Sequence, residues 1–253
     1  MKQFNVFLHK EITENLRTYK SQILIAVFLL LGIISPLLAK LLPEIIGSIG
    51  LDGLAIALPE PTALDAWTQF FHNVSQMGLL CMVILFSGLM ANELAHGTLI
   101  NLLAKGLSRT TVILAKFASA SLQWTLAYLL CLGTCALYTA FYWSASLHHG
   151  WLVFGGLWLF GELLIALMIF GGTLSSSFYG SLSLCAGAII LFTLLSLFPD
   201  AVSLNPLSLT SSTQALLTNS QSITYYLPAY GITAVLIASF LLGSIWLFKK
   251  KPL

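Results

Sequence analysis

The chain has 253 residues, of which 58% are hydrophobic and only 8% charged, against roughly 25% charged in soluble domains. Its 11 basic and 9 acidic residues leave a net charge of +2, so nucleic acid is not an expected partner. Several runs of about 20 apolar residues place it in a bilayer, and no polar stretch is long enough to enclose a core of its own.

Residues 1–20 read as an amphipathic interfacial helix. Phe4, Leu8, Ile12, Leu16 and Tyr19 recur at helical spacing, while Lys2, Lys10, Glu11, Glu14 and Arg17 take the other side. The polar lead and the long apolar run behind it do not fit a cleavable signal peptide, whose apolar region is about 7–15 residues. Span 1 is expected over 21–42, with Gly32 and Pro36 as candidate kinks. Residues 43–72 form an outer segment that holds Glu44, Asp52, Glu60 and Asp65 and no base. Thr62 and Asp65 match a capping box, which predicts a helix leading into span 2 at 73–91. Trp67, Phe70 and Phe71 are then expected at headgroup level.

Span 3 is expected over 112–142. That is longer than the roughly 20 residues a bilayer needs, so one end should project or tilt. Span 4 covers 150–173, followed by an uncharged turn from Gly172 to Ser181. Span 5 covers 181–198. The outer segment 199–225 includes an amphipathic stretch from Leu207 to Leu217, expected as a short interfacial or re-entrant helix. Span 6 covers 226–248 and ends in Lys249, Lys250 and Lys251. The fold class is therefore all-α: one polytopic domain over 1–253 with six transmembrane helices. With six spans, ten of the eleven bases fall on one side and only Lys40 on the other. The positive-inside rule then puts both termini in the cytosol.

Between spans 2 and 3 lies a polar island, 92–111. Thr98 is expected to cap a two-turn helix from Leu99 to Lys105, with Gly106 in the left-handed position after it. Ser108 then caps the helix of span 3. Leu99, Leu102 and Leu103 would share one exposed face, and Glu93 and Arg109 would pair at its two roots. The plainer alternative is a loop that only satisfies its own backbone.

The ordered set Glu93, Gly97-Thr98, Leu102-Leu103, Ser108-Arg109 and Lys116 resembles the pattern of the ABC type-2 permease family. These are membrane subunits of ATP-driven exporters whose ATPase is often a separate chain. A weaker likeness covers the amphipathic start, the six-span layout, the Asn205–Leu209 segment and the Phe-Lys-Lys-Lys end. The resemblance implies that residues 1–20 form an elbow helix and that 92–111 is an ATPase-coupling segment. Glu93, Gly97, Thr98, Leu99, Leu102, Leu103, Lys105, Gly106 and Arg109 are its site residues. It also implies two cytosolic ATPase subunits carrying the ATP and magnesium, a second permease subunit, identical or homologous, and export across a bacterial cell membrane.

No Walker loop, H-E-x-x-H or G-x-S-x-G occurs in the sequence, so neither an enzyme nor a cofactor is expected in this chain. Cys81, Cys131, Cys135 and Cys185 all lie in apolar runs and read as buried small residues. The His148-His149 pair and the Glu93/His96 spacing lack further ligands for a metal. Glu162 lies near the centre of span 4, where a carboxylate costs at least a few kcal/mol, and no Lys or Arg lies deep in another span. It reads either as a lining of the pathway or subunit contact, or as a protonated acid held by a Ser or Tyr. A self-contained channel or secondary transporter is the alternative function. Several intramembrane charges or an internal repeat would favour it, and neither is evident.

Overall fold

The structure, a computed structural model, describes residues 2–48, 60–143, 150–211 and 225–251. Regular structure among these residues is entirely helical. Helix α1 (Lys2–Arg17) and α2 (Lys20–Ser48) meet at Tyr19, which takes φ 60, an unusual conformation for an aromatic residue and the place where the chain changes direction. α2 runs unbroken through Gly32 and Pro36.

α3 (Ala63–Asn73), a π-helical turn (Val74–Gly78), α4 (Leu79–Phe86) and α5 (Gly88–Ala95) follow one another with almost no break. The Asp65 carboxylate fixes the start of α3, accepting from the Thr62 backbone N–H at 2.8 Å and its hydroxyl at 2.7 Å. The short α6 (Thr98–Ala104) leads to α7 (Arg109–Tyr142), then α8 (Gly150–Ser175) and α9 (Phe178–Leu195). A 3-10 turn (Pro199–Leu204), α10 (Ser208–Ser211) and α11 (Leu227–Lys250) complete the described chain. Within the expected Leu207–Leu217 helix only Ser208–Ser211 is helical among the described residues. Residues 212–217 of that stretch, and His148 and His149, lie outside them.

Among the described residues, six helical stretches are long and apolar enough to cross a membrane: Lys20–Leu42, Ala63–Ala95, Arg109–Tyr142, Leu152–Ser175, Phe178–Leu195 and Leu227–Lys250. α8 is the hub and packs against α4, α5, α7, α9 and α11. Every residue from Leu163 to Ile169 is buried, as expected of a helix that is apolar all round. Few residues of α9 and α11 are fully buried, and several large apolar side chains on each, such as Ile190, Leu191, Val235 and Leu242, are exposed. Lys10 of α1, Lys105 just after α6, Arg109 and Lys116 of α7 and Lys251 after α11 gather at one end of the bundle. Lys40 lies at the other end, over the Tyr142 ring at 3.8 Å.

Trp67, Phe70 and Phe71, expected at headgroup level, are all buried against the bundle. Phe154 of α8 lies 5.0 Å from Trp67 and stacks on Phe71 at 5.3 Å. The helix from Thr62 is already part of the bundle, so its aromatic face meets α8. On α1, Phe7, Glu11 and Asn15 are buried in the bundle, Phe4, Leu8 and Ile12 of the apolar stripe are half-buried, and Leu16 and Tyr19 are exposed. A charged partner on α7 lets Glu11 enter the core, and a hydrophobic period cannot register that.

α2 and α7 pack closely because Gly32 has no side chain. A Cβ there would lie 2.0 Å from Thr134 Oγ1 and 2.6 Å from the Cys131 carbonyl oxygen. Backbone cannot yield as a flexible side chain can, so Gly32→Leu should separate the helices and cost about 2 kcal/mol or more. Gly133→Ala, where a Cβ meets nothing within 4 Å, is the control. Thermal unfolding in detergent should show a lower Tm for Gly32→Leu only. Equal Tm values would show that the contact does not hold the pair.

Candidate functional site

The polar island forms a compact, capped unit at the basic end. α5 stops at His96, whose ring Nδ1 lies 2.7 Å from the Asn92 carbonyl oxygen. Gly97, at φ 65, turns the chain into α6 and occupies the N-cap position expected for Thr98. The turn from α5 to α6 is too tight for a cap in extended backbone, so glycine takes it. The Thr98 hydroxyl instead donates back to the Glu93 carbonyl at 3.4 Å. At the other end Gly106 takes φ 90. Its N–H donates to Leu103 O at 2.9 Å and the Leu107 N–H to Leu102 O at 3.2 Å. This double bond pattern stops a helix and satisfies its last carbonyls. Ser108 then caps α7, accepting from the Thr111 N–H at 3.1 Å.

The apolar face of α6 differs from the expectation. Leu99 is fully buried and anchors the helix to the core. Leu102 and Leu103 are half-buried against it, and Ile100 is the exposed residue. Seven residues are too few for an independent helix, so α6 depends on this anchoring.

Beneath α6 lies a junction of five charges. Lys116 of α7 reaches Glu11 Oε2 at 2.9 Å and Glu93 Oε2 at 2.8 Å. Only 2% of the Lys116 side chain is exposed, with 4% for Glu11 and 11% for Glu93. Lys10 lies 2.6 Å from Glu93, 2.6 Å from Glu14 and 2.9 Å from Glu11. Burial acts to lower the affinity of Lys10 for its proton. The Glu14 and Glu93 carboxylates outweigh that effect and hold the ammonium well above its ordinary value. The oxygens of Glu11, Glu14 and Glu93 converge closely enough to hold a metal ion, but the Lys10 ammonium already sits among them. α1, α5 and α7 thus meet through ions, and α6 hangs from the α5 side of the joint.

Arg109 and Glu93 do not pair, contrary to expectation. Glu93 is level with Lys116, seven residues along α7 from Arg109, or about 10 Å. Arg109 instead donates to the carbonyl oxygens of Phe248 and Lys251, the latter at 2.7 Å. This closes the end of α11, where unsatisfied carbonyls favour a cation. Lys251 donates to the Thr173 carbonyl at 2.9 Å and to the Ser176 hydroxyl. The α8–α9 turn is thereby tied to the same end.

Two grooves flank the joint. One, about 400 Å³, runs between α1 and α6 and is lined by Gln3, Val6, Phe7, Lys10, Leu102, Lys105 and Leu107. The other, about 280 Å³, is polar and includes Glu14, Asn92, Glu93, His96 and Thr98. A larger, partly open cavity of about 590 Å³ lies among α4, α8, α9 and α10. Its walls are mostly leucine and other apolar side chains, and Ser75 and Gln76 come from the π-helical turn. The same two residues, with His72, Thr68 and Ser211, line an adjoining polar space of about 290 Å³.

Glu162 faces α7 within the bundle and is 4% exposed. Ser121 donates to its Oε1 at 2.7 Å, whereas Oε2 is buried and has no hydrogen-bond partner among the described residues. The hydroxyl partner anticipated from the sequence is therefore present.

Lys10 and Glu11 were not singled out by sequence reasoning, which placed them on the polar side of α1. A usable signal was there: Lys10 and Glu14 are four apart, and Phe7, Glu11 and Asn15 repeat at the same interval. No protein-family model matches the chain, and no curated protein matches it.

The joint predicts unequal costs. Lys116→Met removes the buried cation and leaves the Glu11 and Glu93 carboxylates only the partly exposed Lys10, so it should destabilise the protein by about 3–5 kcal/mol. Lys10→Met removes a side chain that is 39% exposed, where screening limits the loss to about 1 kcal/mol. Unfolding in mixed detergent should rank them in that order. The reverse order would place the weight of the joint on its outer lysine.

Proposed function

We propose that this chain is the membrane-spanning subunit of an ATP-driven exporter, of the kind represented by the ABC type-2 permeases it resembles. The observation that carries the reading is the ionic joint beneath α6. A short, doubly capped helix at the basic end hangs from buried charges shared by α1, α5 and α7. A push on α6 would reach two long helices without being lost in a flexible loop. The basic end is the cytosolic one by the positive-inside rule. ATP and magnesium then belong to a separate cytosolic ATPase, engaged in two copies by two permease subunits. The exposed apolar faces of α9 and α11 are available to lipid or to the second subunit.

The cavity among α4, α8, α9 and α10 favours an amphiphilic substrate. Its walls are apolar, and its polar mouth is built from Ser75, Gln76 and His72. π-helical turns recur at functional positions in helices, and this one brings Ser75 and Gln76 to the boundary between the two spaces.

A second reading, a secondary transporter driven by protons, is favoured by Glu162. A buried carboxyl with one unpartnered oxygen is a natural place for a proton to bind and leave.

Purification from native membranes separates the two. The exporter reading expects an ATPase subunit to accompany the wild type, and Leu102→Asp or Leu103→Asp to lose it while still inserting. Leu99→Asp should disrupt the fold instead, since Leu99 is fully buried. Retention of the ATPase and normal transport by both Leu102→Asp and Leu103→Asp would remove the coupling role of α6. Transport in vesicles by the chain alone, driven by a pH gradient and abolished by Glu162→Gln, would establish the proton-driven reading.

A further inference from the structure

We propose that the cavity among α4, α8, α9 and α10 takes an amphiphile whose headgroup is uncharged and hydrogen-bonding, and that the Ser75 hydroxyl reads that headgroup. That this ligand is the cargo rests on the exporter reading above. That it binds, and with which headgroup, rests on the chemistry of the two adjoining spaces.

The larger space specifies the chain of the ligand. Its volume of about 590 Å³ falls within the roughly 300–1,000 Å³ of small-molecule sites. α9 lines it from Leu182 to Thr193, about 16 Å of helix, and Val83 and Leu164 face it from α4 and α8. A mostly apolar wall of that length suits an extended hydrocarbon, whose burial is favourable for every methylene.

The junction of the two spaces specifies the head. Ser75 and Gln76 line both. Among the described residues, no Asp, Glu, Lys or Arg lines either. A charged headgroup drawn in there would exchange its solvation for a site without a counter-ion. The lining offers instead the hydroxyls of Ser75 and Ser211 and the amide of Gln76, with the imidazole of His72 at the exposed edge. Hydroxyls and amides both donate and accept, which matches a headgroup of alcohol or amide character.

Ser75 stands out by its lack of a bond. Elsewhere in the bundle helical hydroxyls donate to the carbonyl four residues back: Ser35 to Leu31, Thr173 to Ile169, Thr233 to Ala229 and Ser244 to Phe240. Ser75 lies in the π-helical turn, where the Leu79 N–H reaches five residues back to Val74 O. Its Oγ is buried and has no hydrogen-bond partner among the described residues. A hydroxyl removed from water without a partner is unfavourable. Turning between staggered positions about χ1 to meet a ligand costs it no bond. A ligand hydroxyl or amide at the junction satisfies it, with the alkyl chain extending into the larger space.

Three photoreactive probes test this on the protein in phosphatidylcholine nanodiscs. They share one diazirine-bearing alkyl chain and carry a diol, a carboxylate or a trimethylammonium head. Labelled peptides are mapped as each probe is titrated. The diol probe should label Leu182–Thr193 saturably, and the charged probes should need about tenfold more. Ser75→Ala should weaken the diol probe about fivefold while leaving Tm unchanged or raised, since the hydroxyl has no bond to lose. Leu126 and Leu129, exposed on α7 and outside both spaces, report simple partition into lipid. Their labelling should neither saturate nor respond to Ser75→Ala. Labelling of α9 that fails to saturate, equal labelling by charged and diol probes, or a diol affinity indifferent to Ser75→Ala would overturn the site. A lower Tm in Ser75→Ala would give the hydroxyl a structural partner and overturn its role as reader. In vesicles holding the complex from native membranes, saturable and Ser75-dependent labelling without ATP-driven movement of the diol probe would keep the site and overturn its place in export. ATP-driven movement of the charged probes alone would keep the exporter and overturn the site.

Discussion

Lys116 is an ammonium group almost wholly removed from water, and the rest of the basic end is arranged to make that tolerable. Isolating such a charge in protein costs several kcal/mol. Glu11 comes from α1 and Glu93 from the end of α5, and each reaches Lys116 within 2.9 Å. Lys10 closes the ring from outside. Desolvation cancels much of the Coulomb gain in such a cluster, so its main effect is directional. Three separate helices must keep fixed positions or leave a buried charge unpaired. α1 is held to the bundle by this requirement, and α6 inherits its position from Glu93 and Leu99.

A second cluster, of hydrogen bonds to carbonyls, does similar work for the other helices. Arg109 closes the end of α11, and Lys251 ties that end to the α8–α9 turn. α6 therefore stands between two joints: an ionic one leading to α1, α5 and α7, and a carbonyl-based one leading to α8, α9 and α11. α8 connects them through the membrane. Its buried stretch from Leu163 to Ile169 is flanked on one side by the cavity among α4, α8, α9 and α10 and on the other by Glu162 and Ser121.

Much of the architecture was legible in the sequence because bilayer physics is coarse. Long apolar stretches mark helices that can cross, and Thr62 with Asp65 marks where one begins. Gly106 and Ser108 marked local turns by conformational rules that hold without tertiary context. What escaped was contact between elements. The packing of Trp67 and Phe71 on α8 could not be read because their partner, Phe154, is more than eighty residues away. Glu11 looked solvated because Lys116 is remote in sequence. Glu93 was expected to meet Arg109, yet a difference of about 10 Å along α7 decided for Lys116. Leu99 and Leu102 are equivalent to a helical periodicity, and only packing distinguishes the buried root from the groove wall.

If the ionic joint is what fixes α6 against α1, then severing Glu93 should loosen that pair and spare another. Spin labels at Val6 and Ile100, in a chain lacking its four cysteines, report the α1–α6 distance by pulsed electron resonance. Labels at Val6 and Leu122 report α1 against α7. The account predicts narrow distributions for both pairs in the otherwise unaltered chain. In Glu93→Gln the Val6–Ile100 distribution should broaden while the Val6–Leu122 distribution stays narrow, because Glu11 still holds Lys116. Identical distributions for both pairs in Glu93→Gln and its parent would contradict it, and would assign the position of α6 to Leu99 packing alone.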